Sequence, residues 1–300
     1  MIRIPFMRTA CAVLVTAALA AASPVEAKLR IAASTNDLAS IAATVGGEQV
    51  EVFSIARPNA DPHRVEALPS YMVKVSRAQL FLEVGLGLDQ WANAILEGSR
   101  NASVQTVDCS KGVRVLEKPG GKVDASMGDV HPDGNPHYWL DPRNGAIVAT
   151  NIAEALARLD AAHAADYRSR AEAFGREADA AWQRGRSLAA TLPSRTVFTY
   201  HRSWSYLADA FGLEVAATVE PVPGIPPTVR QLAELVRVAK ARKIGLLIQE
   251  PYYSAEAGRF LAREAGVRTV IASSACDAPT AGSYLAHFAA VLESIAGGRK

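Results

Sequence analysis

No proline falls between Pro142 and Pro193, and the stretch between them is rich in Ala, Arg and Glu. Ile147, Ile152, Leu156 and Leu159 recur at helical spacing. Asp141-Pro142 opens the stretch with a capping aspartate and a proline at the first helical position. A break is expected near Asp160. From Ala161 to Leu192 a single helix would reach about 48 Å at ~1.5 Å per residue. That is longer than one compact lobe needs, so the segment is predicted to be a rigid strut joining two lobes.

Both flanks alternate short apolar runs with helical patterns. On the first flank, strands are predicted at Lys28 to Ala33, Val50 to Ile55, Leu80 to Val84 and Val104 to Val107. Helices are predicted between them at Asn36 to Val45, Pro69 to Val75 and Gln90 to Gly98. On the second, strands at 195–200, 215–219, 244–249 and 267–271 alternate with helices at 205–211, 229–241, 254–265 and 284–296. This alternation predicts an α/β fold: two parallel-sheet α/β lobes joined by a long rigid backbone helix. The expected boundaries are residues 28–141 for the first lobe, 142–193 for the helical linker and 194–300 for the second lobe. No internal repeat is visible in the sequence. Lys118 to Pro136, with its glycines, prolines and aspartates, reads as a loop.

Arg3 and Arg8 precede an apolar run from Ala10 to Ala22, and Val25-Glu26-Ala27 fits a small-x-small cleavage site. Residues 1–27 therefore read as a cleaved export signal, which predicts a soluble periplasmic protein beginning at Lys28. Removing them takes away two positive charges and one negative, so the formal charge falls from +2 to +1. A near-neutral chain without a dense basic run gives no support for nucleic-acid binding. Cys109 and Cys276 remain, either as one disulfide of an oxidising compartment or as two buried thiols.

Three histidines sit in short, stiff, polar segments: Asp61-Pro62-His63, Asn135-Pro136-His137-Tyr138-Trp139 and Tyr200-His201-Arg202-Ser203-Trp204. Imidazole is the commonest protein ligand for zinc and related metals. His63 and His201 follow predicted strands, where α/β folds gather ligand-contacting residues. A lone histidine is more often a hydrogen-bonded core or surface residue, but three in comparable settings favour a shared site. A tetrahedral site needs a fourth ligand, and two carboxylates compete for it. Asp277 follows the last strand, and Glu250 follows the strand at 244–249. His131, with Asp124, Asp129 and Asp133 in the loop, is an auxiliary candidate or part of a solvated acidic loop. Three imidazoles and one carboxylate suit Zn²⁺, whereas Mn²⁺ favours more oxygen ligands. The sequence lacks the H-E-x-x-H helix, the G-x-S-x-G elbow and a Walker loop. A zinc hydrolase with Glu250 as general base remains the rival from another class.

These segments, with Gly134 to Pro142 and Glu220-Pro221-Val222-Pro223-Gly224-Ile225-Pro226-Pro227, resemble the periplasmic metal-binding proteins of zinc and manganese ABC importers. This family is known as the cluster A-I substrate-binding proteins. The resemblance covers essentially the whole mature chain. It implies two α/β lobes joined by one long helix, with metal in the cleft between them. His63, His137 and His201 match the three histidine ligands of that family. The family's aspartate after the final strand finds its nearest counterpart in Asp277, a few residues later than a gapless match, with Ser273 nearer that point. The resemblance implies a non-catalytic receptor, expected to be a monomer, that carries Zn²⁺ as transported ligand to an inner-membrane ABC permease. A periplasmic metallochaperone is a further candidate partner, and an Mn²⁺ receptor of the same family is the alternative. A long strut would limit lobe rotation, so metal release is expected to involve local loop movement.

Overall fold

Four short strands on each flank form two separate parallel sheets, with the central strands buried and the edge strands partly exposed. The structure, a computed structural model, describes residues 27–124 and 127–297. The predicted export signal lies almost wholly outside the described residues. The first sheet contains β1 (Leu29–Ala33), β2 (Val50–Ser54), β3 (Leu80–Glu83) and β4 (Gln105–Asp108) in the order β2-β1-β3-β4. The second contains β5 (Thr196–Thr199), β6 (Glu214–Thr218), β7 (Leu246–Gln249) and β8 (Arg268–Ile271) in the order β6-β5-β7-β8. All pairings are parallel. Each sheet thus runs second, first, third, fourth. The repeat absent from the sequence is present in the topology, because strand order follows from apolar periodicity and crossover handedness rather than residue identity.

The helices are α1 (Asn36–Gly46), α2 (Pro69–Val75), α3 (Ala92–Ser99), α4 (Pro142–Leu159), α5 (Ala164–Ala189), α6 (Ser205–Phe211), α7 (Val229–Arg242), α8 (Glu256–Ala265) and α9 (Ser283–Ile295). Asp141 caps α4 by accepting a hydrogen bond from Arg143 N at 2.9 Å. The expected break falls at Asp160, where a short 3₁₀ turn at Ala161–His163 separates α4 from α5. The 26-residue α5 is the long helix, about 39 Å at ~1.5 Å per residue. It is shorter than the 161–192 span, and it does not bridge open solvent. It packs along α4, α1, α6 and α9, burying Tyr167, Phe174 and Ala178. One core joins α1, α4, α5 and α9 to the facing sides of both sheets, and two smaller cores lie behind the sheets.

Polar staples add to this shared core. Asn36 Nδ2 donates to Cys276 O at 3.0 Å, Ser40 Oγ to Thr280 O at 2.6 Å, and Trp139 Nε1 to Ser274 O at 2.6 Å. They tie α1 and the segment before α4 to the loop between β8 and α9. The carboxyl ends of the two sheets are thereby fixed about a common seam. Cys109 and Cys276 are both free and buried, which corresponds to the two-thiol alternative.

Candidate metal centre

The chain folds each [Asp/Asn]-Pro-His segment into the same local device. Asp61 Oδ1 accepts from His63 N at 3.0 Å and sits 2.7 Å from His63 Nδ1. Asn135 Oδ1 accepts from His137 N at 3.0 Å and sits 2.9 Å from His137 Nδ1. A short side-chain acceptor reaching the backbone two residues on is an Asx turn, and the intervening proline stiffens it. The Asn135 amide is oriented by its other end, since Nδ2 donates to Arg202 O at 2.9 Å and Glu117 Oε2 at 3.1 Å. Carboxylates and amide oxygens only accept, so the ring proton of each histidine lies on Nδ1 and the lone pair on Nε2.

His201 reaches the same state by a longer route. It follows β5, and its Nδ1 lies 2.8 Å from Glu220 Oε2 just beyond β6. Glu220 also accepts from Gly224 N at 3.1 Å, and both His201 and Glu220 are buried. The three outward nitrogens then converge. One ligand atom from each of His63, His137 and His201 lies within 4.8 Å of the other two. The ring centroids stand 5.1–5.4 Å apart in all three pairs. Nε2 of His63 and of His137 is buried without a hydrogen-bond partner. Buried polar atoms in native proteins are nearly always paired, so a converging set of orphan lone pairs is fitted to a cation.

Burial, then repulsion from the other imidazoles, holds His137 well below the usual histidine range. It is therefore a neutral, metal-competent ligand. Burial opposes charge on His201 as well, but Glu220, with Glu250 and Asp61, outweighs it and raises its pKa. The cavity lined by His131, His137 and His201 is ≈ 30 Å³. That is room for an ion or a water.

Neither carboxylate expected as fourth ligand enters the set. Asp277 is exposed, because the preceding Cys276 is turned inward by donating its N–H to Asp37 Oδ1 at 3.1 Å. Ser273 is also committed, donating from Oγ to Pro58 O at 2.6 Å. Glu250 is fully buried at the end of β7 and accepts from Ser203 Oγ at 2.5 Å. Burial, against the opposing charge of His201 and the Ser203 hydrogen bond, lifts its pKa to about 7. His131 stands next to the three histidines, stacked on His63 at 5.3 Å. The sequence reading did not assign roles to Asp61, Asn135 and Glu220. For the first two a signal was available, an Asx two residues before each histidine. Glu220 heads the proline-rich segment 220–227 singled out above, but its partner was not readable there, since it meets His201 only through the pairing of β5 with β6.

Residues 31–298 match the family described as ZnuA, zinc-uptake complex component A, periplasmic. The chain belongs to that family. A ZnuA crystal structure superposes with a TM-score of 0.77 at 27% identity, covering 90% of this chain and 98% of that one. The iron-binding protein YfeA of Yersinia pestis is 27% identical over 280 residues, 88% of this chain and 86% of the relative. A putative metal-binding protein of Treponema pallidum is 27% identical over 243 residues, 80% and 77% of the two chains. As a ZnuA-family protein, the chain is a metal-binding receptor serving an ABC-type importer of zinc or manganese.

The Glu220–His201 hydrogen bond gives a direct test of ligand positioning. Glu220→Gln is expected to weaken zinc binding about 10–100-fold, the usual cost of losing a group that orients a ligand. Competitive titration against a chromophoric chelator reads this, and unchanged affinity would show that Glu220 does not orient His201.

Proposed function

We propose that this protein captures Zn²⁺ in the periplasm through His63, His137 and His201 and delivers it to an inner-membrane ABC permease, without catalysis. One observation carries the reading: three imidazoles, each with an acceptor at Nδ1, bring one ligand nitrogen apiece within 4.8 Å of the other two, and Nε2 of His63 and of His137 is buried without a partner. An all-nitrogen arrangement with no carboxylate among its ligand atoms favours zinc over manganese, which prefers oxygen. The division into a first lobe at 28–141, helices at 142–193 and a second lobe at 194–300 is part of this proposal, as are cleavage after Ala27 and a monomeric state. Metal analysis of protein purified from its native compartment tests the cargo: one equivalent of zinc supports the proposal, and manganese in its place overturns it.

The pH dependence follows from the proton balance. Zinc needs neutral imidazole. His137 is held neutral by burial, whereas the carboxylates of Glu220, Glu250 and Asp61 raise the pKa of His201 above the usual histidine value, so that it is the ligand that holds its proton to higher pH. Affinity is therefore expected to rise with pH and level off above the His201 pKa. Below it, about tenfold is lost per pH unit as one proton competes for the site. Titrations between about pH 6 and 8 measure the slope, and a flat profile would remove His201 as the competing group.

A further inference from the structure

The face that α1 turns to the second half of the chain is polar. Asn36, Ser40 and Thr44 recur every four residues and so share one side of the helix. All three bond to the segment that runs from β8 into α9. Asn36 Nδ2 donates to Cys276 O at 3.0 Å. Ser40 Oγ donates to Thr280 O at 2.6 Å and accepts from Tyr284 N at 3.0 Å. Thr44 Oγ1 accepts from Gly282 N at 3.2 Å. Asp37 completes the contact, its Oδ1 accepting from Cys276 N at 3.1 Å.

Asp37 differs from these neighbours in bringing an ionisable group into the seam. It is 1% exposed, and its Oδ2 is buried without a hydrogen-bond partner. Among the described residues no basic side chain offsets its charge. The groups packed around α1 are weak acids or are engaged elsewhere. On the segment after β8, burial pushes the Cys276 thiol up, and Asp277 is exposed. On α9, burial holds the Tyr284 phenol well above the usual tyrosine range. At the start of α4, Asp141 is bonded to Arg143. On α5, Arg170 donates to Val45 O at the far end of α1. On β3, Glu83 faces Asp89 and Asp108. A carboxyl group taken out of water without a counter-ion keeps its proton. Hydrogen bonds from Cys276 and from its own N–H oppose this, but burial outweighs them and lifts the Asp37 pKa to about 7.

We propose that Asp37 is a proton-dependent lock on the seam, seating the segment between β8 and α9 against α1 when neutral and loosening it when ionised. Where that segment lifts away, Asp37 meets water and returns to the ordinary aspartate value near 3.8. The seated form therefore holds one more proton than the lifted form between about pH 4 and pH 7. The lock is at full strength in acid, weakens as pH rises through that window, and levels off above it. Acid also strips metal from imidazole ligands, because protons compete for them. The same acid that empties the site thus tightens the seam, and the metal-free receptor keeps its two sheets in register when no cation bridges them. This last role rests on the three-histidine reading above.

The test uses the full mature chain without metal, comparing wild type with Asp37→Asn and Asn36→Ala. Asp37→Asn keeps an acceptor for Cys276 N and cannot ionise. Asn36→Ala removes a neighbouring seam bond and no titrating group. In wild type, the ¹³C shift of the Asp37 carboxyl is expected to titrate near pH 7, and a midpoint near 4 overturns the lock. In urea unfolding, the wild-type folding constant is expected to fall relative to Asp37→Asn by up to about tenfold per pH unit between about pH 4 and 7, and to run parallel above. Amide exchange at Cys276 and Tyr284, corrected for its intrinsic pH dependence, is expected to quicken over the same range in wild type only. Asn36→Ala is expected to quicken it by the same factor at every pH. Unfolding and exchange profiles of wild type that parallel those of Asp37→Asn overturn the proposal. If Asp37→Asn fails to fold, the carboxyl titration decides alone. With no metal present, each of these outcomes leaves the histidine site untouched.

Discussion

Replacing His137 with alanine is expected to lower zinc affinity roughly a thousandfold, about 4 kcal/mol, while leaving the fold intact. His137 is the deepest of the three ligands at 2% exposure, and burial keeps it neutral. No proton must therefore leave it when metal arrives, and none of its affinity is spent on that step. The metal-free protein should tolerate the change for a related reason. The alanine variant no longer carries a buried Nε2 that lacks a protein partner. That relief offsets part of the cavity left behind. Competitive titration with thermal unfolding of the metal-free form measures both quantities. Unchanged affinity would remove His137 from the site, and a metal-free variant that fails to fold would make its role structural.

Trp139→Ala is expected to destabilise the protein by about 3–5 kcal/mol, the range for deleting a fully buried large aromatic. For a chain of this size that corresponds to a fall in Tm on the order of 10 °C. Trp139 is 1% exposed, packs in the shared core, and donates from Nε1 to Ser274 O across the seam. Its ring lies 5.2 Å from His137, and Tyr284 Oη donates to its carbonyl at 2.6 Å. The variant therefore loses apolar packing, a staple between the sheets and the wall behind a ligand together. Trp139→Phe should recover most of the packing but not the Ser274 hydrogen bond, and so fall between the two. Chemical denaturation separates these outcomes. A loss under about 1 kcal/mol for the alanine variant would show that the seam does not depend on this residue.

The elements were largely legible because their signals are local. Asn36 to Val45 shows an apolar stripe closed by Gly46-Gly47, and the helix observed is Asn36–Gly46. Asp141-Pro142 marks the start of α4 by capping chemistry alone. The 161–192 span overshoots because helical propensity does not register the 3₁₀ turn that Asp160 organises by accepting from His163 N. At the site, the three histidines stand out by spacing and by the residues before them. Asp277 follows a strand, as a ligand would, but it stands exposed outside the histidine cluster, next to Cys276, whose N–H is turned inward to Asp37.

The sequence by itself determined the two alternating α/β halves, the long helical segment and the three imidazoles, since periodicity, caps and stiff turns act over a few residues. Only the tertiary structure decided which polar groups face that point. Glu220 reaches His201 through strand pairing, His131 comes close through a loop laid on Pro223, and Asp277 stands outside the cluster beside Cys276, which bonds to Asp37 239 residues away in the chain. Such placements depend on the distance and direction between segments that only packing brings together, and no local pattern of residues encodes them.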